Sequence, residues 1–528
     1  MSDIADVFVG LLLAVAALGL LARKLKIAYP ILLVIGGLLL GLIPGLPRVR
    51  LDPEFIFLFF LPPLLFPAAL FTSWRDFRAN LRPILLLAIG LVLFTTIAVG
   101  WLAHGFLGLP LAAGFVLGAI VSPPDAIAAA AIAERLSVPR RIVAILEGES
   151  LVNDATALVA YRFAVAAVVT GSFSLAGATG QFFVVGLGGI LIGLAVGWIA
   201  AWFHRHVDDA PVEVTVSLLT PFVAYLAAER VGASGVLAVV TAGLFLGWRT
   251  PEITTSSTRL QGGPFWNMIE FLLNGFVFIL IGLALPESVR ALSGRSVAPL
   301  VWSAMVISLA VIVIRILWVF PATYLPRLLF KSIRARDPYP PWQHVAIVGW
   351  TGMRGVVSLA AALALPLTIQ NGAPFPERDL ILFLTFIVIL ATLGGQGLSL
   401  PWLIRWLGLE DDKGAEAEER EARLKANRAA LARLNEPAPP DPAKANARQR
   451  LRVEYEDRIR QLEADQPRNA DHPRHLFSSE YESLSSEALQ LERHMILKLR
   501  NENVINDEVL RRIQRDIDLA EARLQLQP

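Results

Sequence analysis

Between residues 4 and 408 the chain repeats apolar runs of about 20 residues, each long enough to cross the ~30 Å hydrocarbon core of a bilayer. This feature leaves few folds open. Hydrocarbon offers no partner to a backbone N–H or C=O, so such runs fold as helices that pair their own backbone. Thirteen spans are predicted, at roughly 4–22, 28–46, 53–71, 83–104, 109–134, 141–169, 178–203, 213–229, 233–248, 265–286, 297–325, 343–367 and 379–404, and are numbered here in that order. Hydrophobic residues make up 55% of the 528, and the mean hydropathy of +0.57 is too apolar for a water-soluble chain of this size. The first run opens with Asp3 and Asp6 rather than lysine or arginine and leads directly into further spans, which argues against a cleaved signal peptide.

Orientation follows from lysine and arginine in the short loops. One alternate set, which includes Arg23, Lys24, Arg75, Arg140, Arg141, Arg205, Arg327 and Arg336, holds 16 of them; the other, which includes Arg48, Arg230, Arg290 and Arg378, holds 6. The richer set is assigned to the cytoplasm of a cell (inner) membrane, with the N-terminus outside and the C-terminal tail inside. Three regions are expected: a transmembrane domain over 1–408, a charged and Pro-rich linker over 409–450, and a helical cytoplasmic tail over 451–528. In the tail Val509, Leu510, Ile513, Ile517 and Leu524 recur at helical spacing behind Asn506, a plausible cap. That amphipathic face reads as a packing or dimer element, or as a regulatory module.

Two spans are irregular. Span 5 carries Pro123-Pro124 followed by Asp125, and span 12 carries Gly349, Gly352 and Gly355 around Arg354. If spans 1–6 and 8–13 are two halves about span 7, each irregular span is the fifth of its half. That is the pattern of an inverted repeat whose broken helices meet near the midplane. The fold class is therefore an all-α membrane protein of about 13 transmembrane helices, two of them discontinuous, with a helical tail. In span 5 the prolines free the carbonyls of Ala119 and Ile120. Free carbonyls beside a carboxylate make a cation site; the plainer reading is a proline kink with Asp125 as a helix cap.

Charge within a membrane is costly and marks a functional candidate. Span 6 offers Glu149, Ser150, Asn153, Asp154 and Arg162. Ser150 and Asp154, four residues apart, share one helix face, and Glu149 and Asn153 share the adjacent one. A carboxylate taken out of water holds its proton more tightly, which suits it to trade that proton for a cation. Asp154 is assigned the carrier role and Glu149 a structural ion pair with Arg354, whose charge is permanent. Arg162 either snorkels or pairs with Asp209 or Glu213. On span 10 Glu270 and Asn274 share a face and are expected to meet Arg315 of span 11, as structure more than as an ion contact.

At this point four motifs in order, FLPPLLF, SPPDAIAAAAI, GESLVNDATALV and GWTGMRGVVSLAAALALP, resemble those of the monovalent cation:proton antiporter family. The likeness is greatest to its bacterial sodium–proton exchangers with Asn-Asp on span 6, and it covers residues 1–405. The resemblance implies an antiporter fold, a homodimer with dimer and core subdomains, and alternating access of an elevator type. It implies that Asp154 binds proton and ion, and that Asp125, Ser150 and the main chain near Pro124 contact a Na⁺ held by Asp154, Asp125 and Ser150. Glu149 and Arg354 match a core ion pair, and Asn153, grouped with the ion- and proton-binding residues, marks a branch associated with electroneutral exchange. Two departures stand out. Pro67 lies where many members carry an acid, and Pro124-Asp125-Ala126 replaces a frequent Thr-Asp-Pro.

The leading expectation is export of cytoplasmic Na⁺ or Li⁺ against entering H⁺, with the lipid bilayer and a second copy as the other partners. The alternative is K⁺/H⁺ or unselective exchange, because hard oxygen ligands suit either ion. A cation channel shares the site but conducts. A remote alternative is an intramembrane serine hydrolase built on Gly-Ala-Ser-Gly at 232–235, which needs a base near the serine. The chain has no cysteine, phosphate loop, dinucleotide fingerprint or His-metal spacing, so no cofactor, enzyme activity or nucleic-acid partner is expected.

Overall fold

A computed structural model describes residues 2–25, 29–43, 57–125, 138–171, 175–292, 294–409, 413–436, 442–464, 488–496, 498, 502, 513 and 516–520. Among the described residues the chain is all-helical, with no strand. Eight helices among the described residues are long and apolar enough to cross a membrane, and Tyr29–Gly41, Phe57–Phe71 and Leu111–Val121 are shorter apolar helices. Span 12 is split into Trp342–Trp350 and Val356–Leu363. The protein is a multi-pass membrane protein. Large apolar side chains on Leu175–His206, such as Val184, Leu191 and Trp198, are about two-thirds exposed, as a lipid-facing surface requires.

Local chemistry sets the helix ends. Asp209 caps span 8, Ser234 span 9 and Thr255 span 10, each accepting a backbone N–H three residues on. Ser234, the serine of the hydrolase reading, is thus spent as a cap, its hydroxyl 3.2 Å from the Leu237 nitrogen. Span 6 ends at Gly171, in the left-handed region at φ 70° with its N–H on Ala167 O.

Small residues let spans touch through their backbones. A Cβ on Gly37 of span 2 would collide with the Ile279 carbonyl of span 10, and one on Gly282 of span 10 with the Val34 carbonyl of span 2. Gly118 of span 5 meets Thr96 of span 4 in the same way. Two apolar cores result: one built chiefly from spans 2, 4, 5 and 10–13, the other from spans 3, 8 and 9 with parts of 6 and 7.

One end of the bundle is clamped by charge. Asp337, between spans 11 and 12, accepts from Arg82 of span 4 at 3.0 Å, Arg141 of span 6 at 2.7 Å and Arg327 of span 11 at 2.6 Å. Burial pushes the Asp337 carboxyl up, but the hydrogen bonds and charges of Arg141 and Arg327 outweigh it and hold the group below the usual carboxylate range. Arg162 pairs with Glu229 of span 8 at 2.8 Å. The expected partners are used elsewhere: Asp209 as a cap, and Glu213 in a buried contact with His204 at 3.1 Å and Thr258 at 2.9 Å.

Residues 413–528 form a separate unit. Where a linker is expected over 409–450, helices run Lys413–Asn435 and Pro442–Ala464, tied to each other by Arg428–Glu463 at 2.8 Å. Both are rich in Ala, Glu, Lys and Arg, strong helix formers that outweigh the prolines between them. Of the predicted amphipathic face, Ile513 and Ile517 pack with Leu489 and Ile496; Val509, Leu510 and Leu524 lie outside the described residues.

Asp337→Asn is expected to cost roughly 2 kcal/mol at pH 7 by weakening charge-assisted hydrogen bonds, read as a lower thermal midpoint in detergent. The Asp337 carboxyl is depressed in the folded state, so its contribution is full above the unfolded value of about 4 and is lost as pH falls through the lower folded value. The gap between wild type and variant therefore closes only in acid.

Candidate functional site

The site forms where the two broken spans cross. The first half of span 5 ends at Val121, and Ser122 to Asp125 continue outside the helix. The Asp125 N–H donates to Met353 O at 2.6 Å, stitching one break to the other. Gly355 sits against the Asp125 carboxylate so closely that a Cβ there would collide with it. Gly355 is the N-cap of Val356–Leu363, so Asp125 stands at the positive end of that half-helix.

The carbonyls loosened by the breaks find donors. Ser122 Oγ donates to Ala119 O at 2.9 Å, Arg354 Nε to Val121 O at 3.0 Å and Asn153 Nδ2 to Pro124 O at 2.9 Å. Arg354 also donates to Gly352 O, and its backbone N–H reaches Thr392 Oγ1 at 3.1 Å, within a π-helical turn of span 13.

The expected Glu149–Arg354 pair does not form. Glu149 accepts two parallel hydrogen bonds from Arg315, at 2.6 and 2.8 Å, with both side chains almost wholly buried. Arg315 Nε also holds Val348 O, near the end of the first half of span 12, at 3.1 Å. The reason is electrostatic. The C-terminal end of each half-helix carries roughly −0.5 of a charge; Arg354 answers the end of span 5 and Arg315 that of span 12. The expected meeting of Glu270 with Arg315 fails for the same reason, since Glu149 and Val348 take that guanidinium. Two guanidiniums, one carboxylate and two half-charges leave the buried frame close to neutral.

A cavity of about 440 Å³ opens beside this frame. Its wall includes Pro123, Pro124, Asp125, Ser150, Asp154 and Gly355 from the crossing and span 6, and Tyr29, Leu64, Pro67, Asn267 and Glu270 from spans 2, 3 and 10. Ser150 and Asp154 share the face predicted for them. Asp154 is 6% exposed, and its charge interacts with that of Asp125. Asn153, expected among the ion-binding residues, instead donates to the Pro124 carbonyl, while its Oδ1 is buried without a hydrogen-bond partner. Asn274 is fully buried above Glu270. Sequence reasoning missed Tyr29 and Glu147, which also line the cavity. Glu147 could have been found: it lies three and seven residues before Ser150 and Asp154, on the same helical stripe.

The carbonyl of Pro124, the hydroxyl of Ser150 and the carboxylates of Asp125 and Asp154 are hard oxygen donors that suit an alkali cation. Breaking the Glu149–Arg315 pair strands a buried charge, at a cost of about 3–5 kcal/mol. Glu149→Gln and Arg315→Gln are each expected to lower the thermal midpoint strongly. The double variant should lose less than the sum of the two, which a double-mutant cycle measures.

The chain is similar to known transporters throughout. It is 38% identical to an uncharacterized Na⁺/H⁺ exchanger of Mycobacterium tuberculosis, over 98% of this chain and 96% of that one. It is 36% identical to a sodium, potassium, lithium and rubidium/H⁺ antiporter of Bacillus pumilus, over 78% of this chain and 62% of that one. The solved sodium proton antiporter MjNhaP1 of Methanocaldococcus jannaschii shares the fold at a TM-score of 0.62, 20% identity, 77% coverage of this chain and 100% of its own. The family model described as sodium/hydrogen exchanger, transmembrane, matches residues 10–406, and the chain belongs to that family, the monovalent cation:proton antiporters.

Proposed function

We propose that the protein is a secondary antiporter that moves Na⁺ or Li⁺ out of the cytoplasm in exchange for H⁺, one for one, by alternating access. The observation that carries this reading is Asp154: a carboxylate almost sealed from solvent, yet lining a cavity with Asp125 and Ser150. Buried as it is, Asp154 needs either a proton or a cation. The two compete for one oxygen pair, and that competition couples their fluxes without a second switch.

Asp125 and Ser150 serve as further cation ligands, with the Pro124 carbonyl, whose second lone pair is left by Asn153. Glu149 and Arg315 serve as frame rather than ligands. Glu147 lies about 10 Å nearer the Arg140 end of span 6 than Asp154, and Phe71 and Thr72 line the same cavity at the neighbouring loop. Access is therefore from the end that the charge bias assigns to the cytoplasm, in an inner membrane, by one protomer of a homodimer.

A second reading has its own support. The Bacillus pumilus relative is named for four alkali cations, and Pro67 gives the cavity no carboxylate from span 3. Both favour an exchanger that also takes K⁺.

Proton movement in proteoliposomes under an imposed pH gradient, with Na⁺, Li⁺ or K⁺ added in turn, tests these readings. Wild type should respond to Na⁺ and Li⁺, and Asp154→Asn to none. Sodium-dependent exchange retained in Asp154→Asn would remove the carrier from that residue. An equal response to K⁺ selects the second reading.

A further inference from the structure

The cavity has two walls of different construction. Asp125, Ser150 and Asp154 belong to the crossing spans 5 and 6. The rest of the lining includes Pro67 of span 3 and Asn267 and Glu270 of span 10. Span 10 is held on span 2 by interlocked backbones at Gly37 and Gly282, and on span 3 by Phe66 against Trp266, with ring centroids 5.4 Å apart. Pro67 and Asn267, the next residue of each span, both line the cavity, and Asn267 is less than one helical turn from Glu270. The Tyr29 hydroxyl, on span 2, lies within electrostatic reach of both Glu270 and Asp125. Asn274, one turn along span 10, is wholly buried and reaches toward that hydroxyl without a well-formed hydrogen bond.

We propose that Glu270 is a cation-binding residue of the facing wall, acting with Tyr29 to receive the alkali ion in the state whose cavity opens on the tail side. The inference rests on the antiport reading and adds to it a contact made on one side of the membrane. A carboxylate lining the same cavity as Asp125 and Asp154 raises the local cation concentration and gives an arriving ion an oxygen ligand before it seats. Span 10 packs against both span 2 and span 3, and in the proposed cycle it stays with them. When spans 5 and 6 present Asp154 to the opposite side, Glu270 stays behind. Its removal therefore weakens cation uptake from one face and leaves the other face unchanged. A residue that only supports the fold has no such sidedness.

The test compares wild type, Glu270→Gln, Glu270→Asp and Asp154→Asn in vesicles of known orientation, fixed by protease access to the C-terminal tail. The apparent KM for Na⁺ is measured from each side at constant pH. For Glu270→Gln a rise of roughly three- to tenfold is expected on the tail side, with KM on the other side and the maximal rate within twofold of wild type. Glu270→Asp keeps the charge and should show a smaller rise on the same side. Adding Pro67→Glu to Glu270→Gln restores a carboxylate to the wall and should lower the tail-side KM again. An unchanged KM on both sides, or equal loss of KM and rate from both sides in folded protein, overturns the proposal. If Glu270→Gln does not yield folded protein, the Glu270→Asp split decides in the same way. Absence of cation-driven exchange in wild type overturns the antiport reading instead, and is told apart by the wild-type and Asp154→Asn arms.

Discussion

The rule that no backbone polar group goes unpaired in hydrocarbon governs this molecule. Among the described residues most of the spans obey it by remaining helical. Spans 5 and 12 break, and everything near the cavity follows from where their loosened groups find partners. Each break supplies part of the other's solution: Asp125 N–H takes Met353 O, and Arg354 reaches back to Val121 O. The crossing is thus a mutual repair, and neither break would be tolerable alone.

The two buried arginines do similar work from different positions. Arg354 lies inside the break of span 12 and serves span 5, while Arg315 lies on span 11 and serves span 12. Glu149 is needed because two guanidiniums exceed the two half-charges of the helix ends. It goes to Arg315, where it meets a parallel fork of donors. With these charges locked together, the frame has no titratable group to spare. In the proposed exchange the proton is carried by the carboxylates that line the cavity.

Much of this was legible in the sequence because the bilayer imposes lengths and polarity on a local scale. The spans follow from apolar run length, the breaks from Pro123-Pro124 and the glycines around Arg354, and the Ser150–Asp154 face from helical spacing. Partner choice was not legible. Nothing in spacing tells whether Glu149 meets Arg315 or Arg354, or whether Arg162 finds Glu229 rather than Asp209, because tertiary packing decides it. The wall formed by Tyr29, Pro67 and Glu270 joins residues from three spans far apart in sequence, and only the fold brings them together. In the tail the prolines at 437–442 drew attention from the Ala- and Glu-rich stretches on either side, which propensity alone marks as helices.

The electrostatics of the frame also bear on how the proposed exchange avoids leak. With the frame near neutral, Asp154 carrying a proton and Asp154 carrying an alkali cation have the same net charge, so the two loaded forms differ little in the charge they present to the low-dielectric interior. Both loaded forms can move at similar cost. The empty, ionised form carries an uncompensated charge, and its movement is penalised by several kcal/mol of desolvation. Asn153 matters to this balance. An acid at that position would add a second titrating charge beside Asp154, whereas the amide is neutral and holds the Pro124 carbonyl in place. One-for-one exchange, as proposed, asks only that one carboxylate change its load while the charges of the frame stay paired.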